Sequence, residues 1–151
     1  MTEQETIRFY RAVGEYGYLS NLYPCSVKVN GLTFASAEHA YQFEKPKELL
    51  VKAWIAAAPY PRLAAHAAHH LSRYDVEPNW EDMKLARMRV VVEAKFRQNE
   101  ELRERLLSTG TATIQEDSPS DMFWGTGRVR NGRNWLGLIL MEVRDKLRPE
   151  A

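Results

Sequence analysis

The stretch SAEHAYQFEK, residues 36 to 45, places a carboxylate, an imidazole, a phenol, an amide and an ammonium within two or three turns of one expected helix. On a 3.6-residue period Glu38, Tyr41, Gln42 and Lys45 share a face, with His39 and Phe43 on the stripe beside it. A carboxylate in the first turn that looked into a cleft could serve as acid or base, or stabilise a developing positive charge. The plainer reading is a solvated polar face with Ala37, Ala40 and Tyr41 packing inward, and for a lone helix that reading comes first.

A second group lies in DMFWGTGRVRNGRN, residues 121 to 134. Phe123 and Trp124 are costly to expose, yet they sit in a loop rich in glycine (Gly125, Gly127, Gly132) and arginine (Arg128, Arg130, Arg133), beside Asp121. Loops run on surfaces and carry binding groups. One reading makes the aromatics a platform for a flat base, with the arginines and backbone N–H groups meeting phosphate. The other makes Trp124 a plug at the core edge and leaves the arginines in solvent.

A third line runs along one helix at spacings of four, four, three and four: Trp80, Lys84, Met88, Val91 and Lys95. Lys84 lies between Trp80 and Met88, and a lysine among apolar neighbours loses hydration of its charged form and becomes nucleophilic near neutral pH. Periodicity alone favours the commoner arrangement, in which the stem lies on apolar surface and the ammonium reaches water. His66 and His70 stand at a spacing that can hold a metal, but alanine follows His66, no acid cluster completes a shell, and no metal or cofactor is expected. There is no GxSxG, Walker or dinucleotide fingerprint.

These groups need elements to hold them. IRFYRA (7–12) reads as a short strand, and SVKVNGLTF (26–34) as a hairpin around Asn30-Gly31, a dipeptide suited to a type I′ turn. Ser36 suits a helix N-cap, and Pro46 ends that helix. Further helices are expected over 47–58, after Pro61 through RLAAHAAHHL, over 78–96 with Asn79 as N-cap, and over 99–110 closed by Gly110. A strand at 111–117 precedes the arginine loop, and a last helix covers 135–147, where Trp135, Ile139, Val143 and Leu147 recur at spacing four. The expectation is one mostly α-helical α+β domain over 1–151. Its small antiparallel sheet would combine the hairpin and the 111–117 strand.

With 151 residues, a single core is the default. The net charge of +1 offers no general attraction for nucleic acid or anionic membrane, so any such affinity must come from a local patch such as the arginine loop. The single cysteine, Cys25, excludes an internal disulfide and fits a reducing compartment. MTEQETIRFY lacks the apolar run of a signal peptide, and no stretch reaches transmembrane length, so a cytoplasmic protein is expected.

Three stretches in order, YGYLSNLYPCSVKVNGLTFASAEHAYQFEK, NWEDMKLARMRVVVEAKF and DMFWGTGRVRNGRNWLGLILMEVRDKL, resemble the NADAR (NAD- and ADP-ribose-associated) family, the YbiA-like N-glycosidases. The resemblance covers about residues 9 to 147. It implies hydrolysis of an N-glycosidic bond between ribose C1′ and an exocyclic amine. One substrate class is ADP-ribose on the guanine amino group of nucleic acid, where the enzyme can act as antitoxin to a DarT-type transferase. The other is the aminouracil ribosyl-phosphate intermediates of riboflavin biosynthesis. By motif position, Glu38, Asp121 and Trp124 would be active-site residues, Trp80 and Lys84 match the family's W-xxx-K, and Asn21 and Asn134 match its two asparagines. On that resemblance Glu38 and Lys84 would act at the sugar, Lys84 through an imine, with Asp121 positioning water or a ribose hydroxyl. Gln42, Gly125 and Arg128 join the expected substrate contacts. A non-catalytic reader of ADP-ribose is the rival reading, against which stand two acids beside an anionic ligand. The sequence departs from the family pattern at Leu22 in SNLYP, at Trp135, and in its extra arginines, which favour ADP-ribosylated nucleic acid.

Overall fold

The structure, a computed structural model, describes residues 4–149. Its elements form two compact units, one contiguous over Asn21–Gln98 and one assembled from Met1–Ser20 and Asn99–Ala151.

In the contiguous unit, β2 (Pro24–Val29) and β3 (Leu32–Ser36) form the expected hairpin. Asn30 (φ 50°) and Gly31 (φ 81°) both take the positive φ that a type I′ turn demands. Val27 pairs with Phe34 on the buried face. The amide of Gln98 clips the outer strand, accepting from Lys28 N and donating to Lys28 O, both at 2.7 Å. Helix α1 (Ala37–Phe43) grows straight out of β3: Ser36 is still extended, and its hydroxyl accepts from His39 N at 3.1 Å. The same hydroxyl lies 2.7 Å from His39 Nδ1, and Nε2 of this fully buried imidazole lies 2.9 Å from Ala58 O. So the stripe beside Glu38 is an interior one. Around α1 pack β2, β3, α2 (Leu49–Ala56), α3 (Pro61–His69) and α4 (Trp80–Gln98). Ile55, Ala64 and Ala68 form a small core between α2 and α3.

In the other unit, β1 (Thr6–Phe9) and β4 (Thr113–Glu116) pair in parallel, from Thr6 with Thr113 to Phe9 with Glu116. Here the structure differs from the expected sheet: β4 joins β1, while β2 and β3 form a separate two-stranded sheet. Alternation over four residues fixes which side chains of a strand are buried but carries no information about its partner. Helices α5 (Glu100–Ser108) and α6 (Trp135–Leu147) complete the unit, α6 packing on β4 and α5. Ile139 and Val143 of the spacing-four line are buried together with Leu136 and Leu140, while Trp135 and Leu147 are half-buried. The buried Arg144 guanidinium donates to Thr109 Oγ1 and Ala112 O at 2.9 and 2.8 Å, tying α6 to the α5–β4 connection.

The α+β class, the six helices and the hairpin follow the sequence reading. Among the described residues no helix is long and apolar enough to cross a membrane.

Candidate functional site

The first group of site residues lies on α1 and α4. Glu38, two residues past the N-cap, is pinned through its backbone, whose N–H donates to Asn21 O at 3.0 Å. Asn21 is buried and spends its own Nδ2 on Met88 Sδ at 3.1 Å, so it anchors the start of α1 to α4. One turn on, Gln42 Nε2 donates to Glu38 Oε1 at 2.7 Å. The polar face of α1 is therefore no solvated stripe: Gln42 and Tyr41 are buried, and Glu38 and Lys45 are half-buried. Trp80 is buried with its ring 5.2 Å from that of Tyr41, which makes it a wall of the α1–α4 contact.

The lysines are arranged differently from the expectation. Lys84 Nζ lies 2.5 Å from Glu81 Oε2, with side-chain exposures of 17% and 79%. The structure thus gives Lys84, a largely buried side chain, an ion-pair partner. Lys45, also in this group, has a lowered pKa. Burial lowers it, the Lys84 charge adds to the lowering, and Glu81 and Glu38 oppose it. Its position seven residues after Glu38 was the signal. Further along α4, Lys95 does not reach water: it is fully buried against the Tyr23 and Phe96 rings, and burial pushes its pKa down to about 8. Cys25 is its charge neighbour, a thiol that burial pushes up and Lys95 draws down.

The second group lies in the 121–134 loop. Asp121 Oδ1 accepts from Phe123 N and Trp124 N at 2.9 and 2.8 Å, closing a tight side-chain-capped turn. The carbonyls of the turn then run against the start of α6. Met122 O accepts from Arg133 N, Phe123 O from Trp135 N, Trp124 O from Leu136 N, and Gly125 O from Asn134 N, all between 2.8 and 3.0 Å. Helix N-termini leave donors unsatisfied, and here the loop supplies the acceptors. Those N–H groups, read from sequence as phosphate ligands, are consumed internally.

Asn134 takes the left-handed conformation (φ 53°), and its side chain bridges to β4, accepting from Glu116 N and donating to Ile114 O, both at 2.9 Å. That is a fastening role. Gly125 has no room for a side chain, since a Cβ there would lie 2.8 Å from Glu116 O and 2.9 Å from Asp121 O. Trp124 is half-buried, edge-on to Phe123 at 4.7 Å, and Arg128, Arg130 and Arg133 are exposed. Arg130 Nε lies 3.3 Å from Asp117 Oδ1. His66 and His70 are exposed, with rings 4.2 Å apart, and no group of three or more candidate metal ligands occurs among the described residues.

The structure thus groups Asn21, Glu38, Gln42, Trp80 and Lys84, with Lys45 added, in the contiguous unit. It groups Asp121, Trp124, Gly125, Arg128 and Asn134 in the other.

The half-buried Glu38–Gln42 pair lies on the Ser36-capped helix, and the Asp121-closed turn abuts the start of α6. The chain belongs to the NADAR family, whose domain model matches residues 8–148. It is 37% identical over 145 residues to the N-glycosidase YbiA of Escherichia coli, covering 95% of this chain and 90% of that protein. It is 36% identical over 148 residues to a riboflavin biosynthesis protein of Vibrio vulnificus, spanning 98% of this chain but 40% of that longer protein. The solved NMR structure of E. coli YbiA superposes with a TM-score of 0.88 at 35% identity, over 97% of this chain and 87% of that one. Relatives of this chain are thus named as N-glycosidases, hydrolases that act on N-glycosyl bonds.

Proposed function

We propose that this protein is an N-glycosidase that hydrolyses the bond between C1′ of a phosphorylated ribose and an exocyclic amine. The observation that carries the reading is Glu38, a half-buried carboxylate fixed by Gln42 at 2.7 Å on an anchored helix start. Breaking C1′–N builds positive charge at C1′, and a carboxylate held in place needs no reorganisation to stabilise it. The amine leaves once protonated, so a second group supplies the proton. Lys45 just past α1 and Lys84 on α4 are the amines of this group, and the alternative route is attack by one of them at C1′ after ring opening, giving an imine that water later hydrolyses. Asp121 and Trp124 enter this reading by motif position alone, Asp121 to order water or a ribose hydroxyl and Trp124 to stack on a base.

Within that class, the exposed Arg128, Arg130 and Arg133 support ADP-ribose on guanine in nucleic acid as the substrate, with a DarT-type transferase as the enzyme whose product is reversed. A second reading, the aminouracil ribosyl phosphate of the riboflavin route, is favoured by the name of the Vibrio relative. The test incubates wild type and Glu38→Gln with an oligonucleotide carrying ADP-ribose on guanine and, in parallel, with the aminouracil ribosyl phosphate. Cleavage of the oligonucleotide by wild type, with a rate about 10²–10⁴-fold lower in the variant, supports the first substrate. Cleavage of the aminouracil compound alone selects the second. Binding of ADP-ribose with cleavage of neither refutes the enzymatic reading.

A further inference from the structure

Gln42 holds an unsettled hydrogen bond. Its side chain is 4% exposed, and its orientation is dictated by its neighbour: Glu38 Oε1 at 2.7 Å can only accept, so the amide nitrogen must face it. The reverse placement would set two acceptor oxygens against each other at that distance. The amide oxygen therefore points the other way, and it is a buried acceptor with no hydrogen-bond partner. Buried acceptors in native structures are nearly always satisfied, by protein, water or ligand. This one lies one helical turn from the proposed C1′ carboxylate, on the same face of α1, with Lys45 one turn further along.

Resting on the glycosidase reading above, we propose that Gln42 Oε1 accepts a hydrogen bond from the ribose 2′-hydroxyl of the substrate, so that the site selects ribosyl over 2′-deoxyribosyl compounds. The group that meets Oε1 must be a donor, which excludes phosphate and ring carbonyl oxygens. It must also lie beside the carbon that Glu38 serves. The leaving amine carries an N–H donor too, but its lone pair has to take up a proton as the bond breaks, whereas the 2′-hydroxyl, on the carbon next to C1′, is a donor throughout the reaction. As C1′ gains positive charge the adjacent hydroxyl becomes a stronger donor, so this hydrogen bond tightens in the transition state and contributes to kcat more than to KM. One side chain thereby performs two tasks: Nε2 holds the carboxylate, and Oε1 reads the sugar.

The experiment is a two-by-two comparison of wild type and Gln42→Met on a ribosyl phosphate substrate and its 2′-deoxy analogue with the same leaving amine. Each rate is divided by the uncatalysed rate of the same compound. On the ribosyl compound, Gln42→Met is expected to lower kcat by about 10²-fold and to raise KM by a smaller factor, about three- to fivefold. On the 2′-deoxy compound the same substitution is expected to lower it at least about tenfold less, because the hydroxyl that Oε1 would bind is gone. Equal losses on both substrates overturn the proposal and leave Gln42 as a support for Glu38 alone. Should Gln42→Met fail to fold, wild type alone decides: an acceleration as large for the deoxy compound as for the ribosyl one overturns the proposal. A binding titration separates this inference from the glycosidase reading. Ribose 5-phosphate held more tightly than 2-deoxyribose 5-phosphate, with the preference abolished in Gln42→Met, supports the Oε1 contact even if wild type cleaves nothing. Equal binding of the two sugars without cleavage sinks both.

Discussion

Lys95 lends itself to a direct thermodynamic test. Its ammonium is fully buried against Tyr23 and Phe96, and its pKa falls from 10.5 to about 8. Between pH 8 and about 10.5 the unfolded chain keeps a proton at this lysine that the folded chain has released. Stability therefore rises with pH across that window, and the full penalty is present below pH 8. A gap of about 2.5 units at about 1.4 kcal/mol each puts the penalty at roughly 3 kcal/mol. Lys95→Met keeps the length of the stem and removes the charge. It also forfeits the two ring contacts, at about 0.5–1 kcal/mol each. The expected net gain at pH 7 is about 2 kcal/mol, or roughly 6 °C in Tm for a chain of this size.

Urea denaturation of both proteins from pH 7 to pH 10.5 reads the effect as a difference. Other groups that titrate in this range, Tyr18 among them with its pKa pushed up to about 12 by burial, are common to both proteins and largely cancel. The variant should lead at pH 7, and wild type should close the gap as the pH approaches 10.5. A difference that stays flat across the range, or a variant less stable than wild type at pH 7, would show that the buried ammonium is not the source of the strain.

Four further outcomes are expected. Asn134→Ala leaves Ile114 O and Glu116 N without their side-chain partners and should lower stability by about 2–3 kcal/mol in chemical denaturation. Asn134→Gly, which relieves only the positive φ, should recover little of that. Gly137→Ala would place a Cβ 2.2 Å from Ile114 O and 2.4 Å from Asn134 Nδ2, so α6 should shift off β4 at a loss of about 3 kcal/mol, seen as a lower urea midpoint. Asp121→Ala should open the turn that Oδ1 caps and lower Tm, whereas Asp121→Asn keeps an acceptor there and should retain Tm, so that any loss of turnover in Asn reports the charge. Replacing Arg128, Arg130 and Arg133 together by Gln should flatten the salt dependence of oligonucleotide binding by up to about three units of log–log slope if all three meet phosphate, measured by anisotropy between 50 and 200 mM salt.

Local chemistry made much of this molecule legible. Asn30-Gly31 named its turn, Ser36 capped α1, and Pro46, Pro59 and Pro61 bounded the helices, because each acts on the backbone within a few residues of itself. Glu38 and Gln42 were read as neighbours from helical spacing alone, and they are bonded. Quantities settled at long range were not legible. The partner of β4 depends on a strand more than a hundred positions earlier, which no pattern inside TATIQED encodes. Lys95 was read only as a member of the spacing-four line, and its full burial was not legible, because periodicity gives a direction around a helix but not the depth of what covers it. The loop amides looked available for phosphate because their acceptors, the carbonyls of residues 122–125, are invisible until the chain folds back on itself. Asn134 matched a family motif, and its bonds to β4 show a fastening duty that a motif does not express.

The pairing of Thr6 with Thr113 has a consequence for the order in which a ribosome delivers the chain. β1 emerges first and has no strand to join until Thr113–Glu116 follows, about 100 residues later, which at 5–20 residues per second is a wait of roughly 5–20 s. During that wait the hairpin and α1 to α4, contiguous in sequence, have all their mutual partners already made. β1 thus spends the interval before β4 emerges as an unpaired strand edge that includes Ile7 and Phe9, the kind of segment that chaperones bind. A nascent chain stalled before residue 113 should expose that segment to protease, and one released after α6 should hide it.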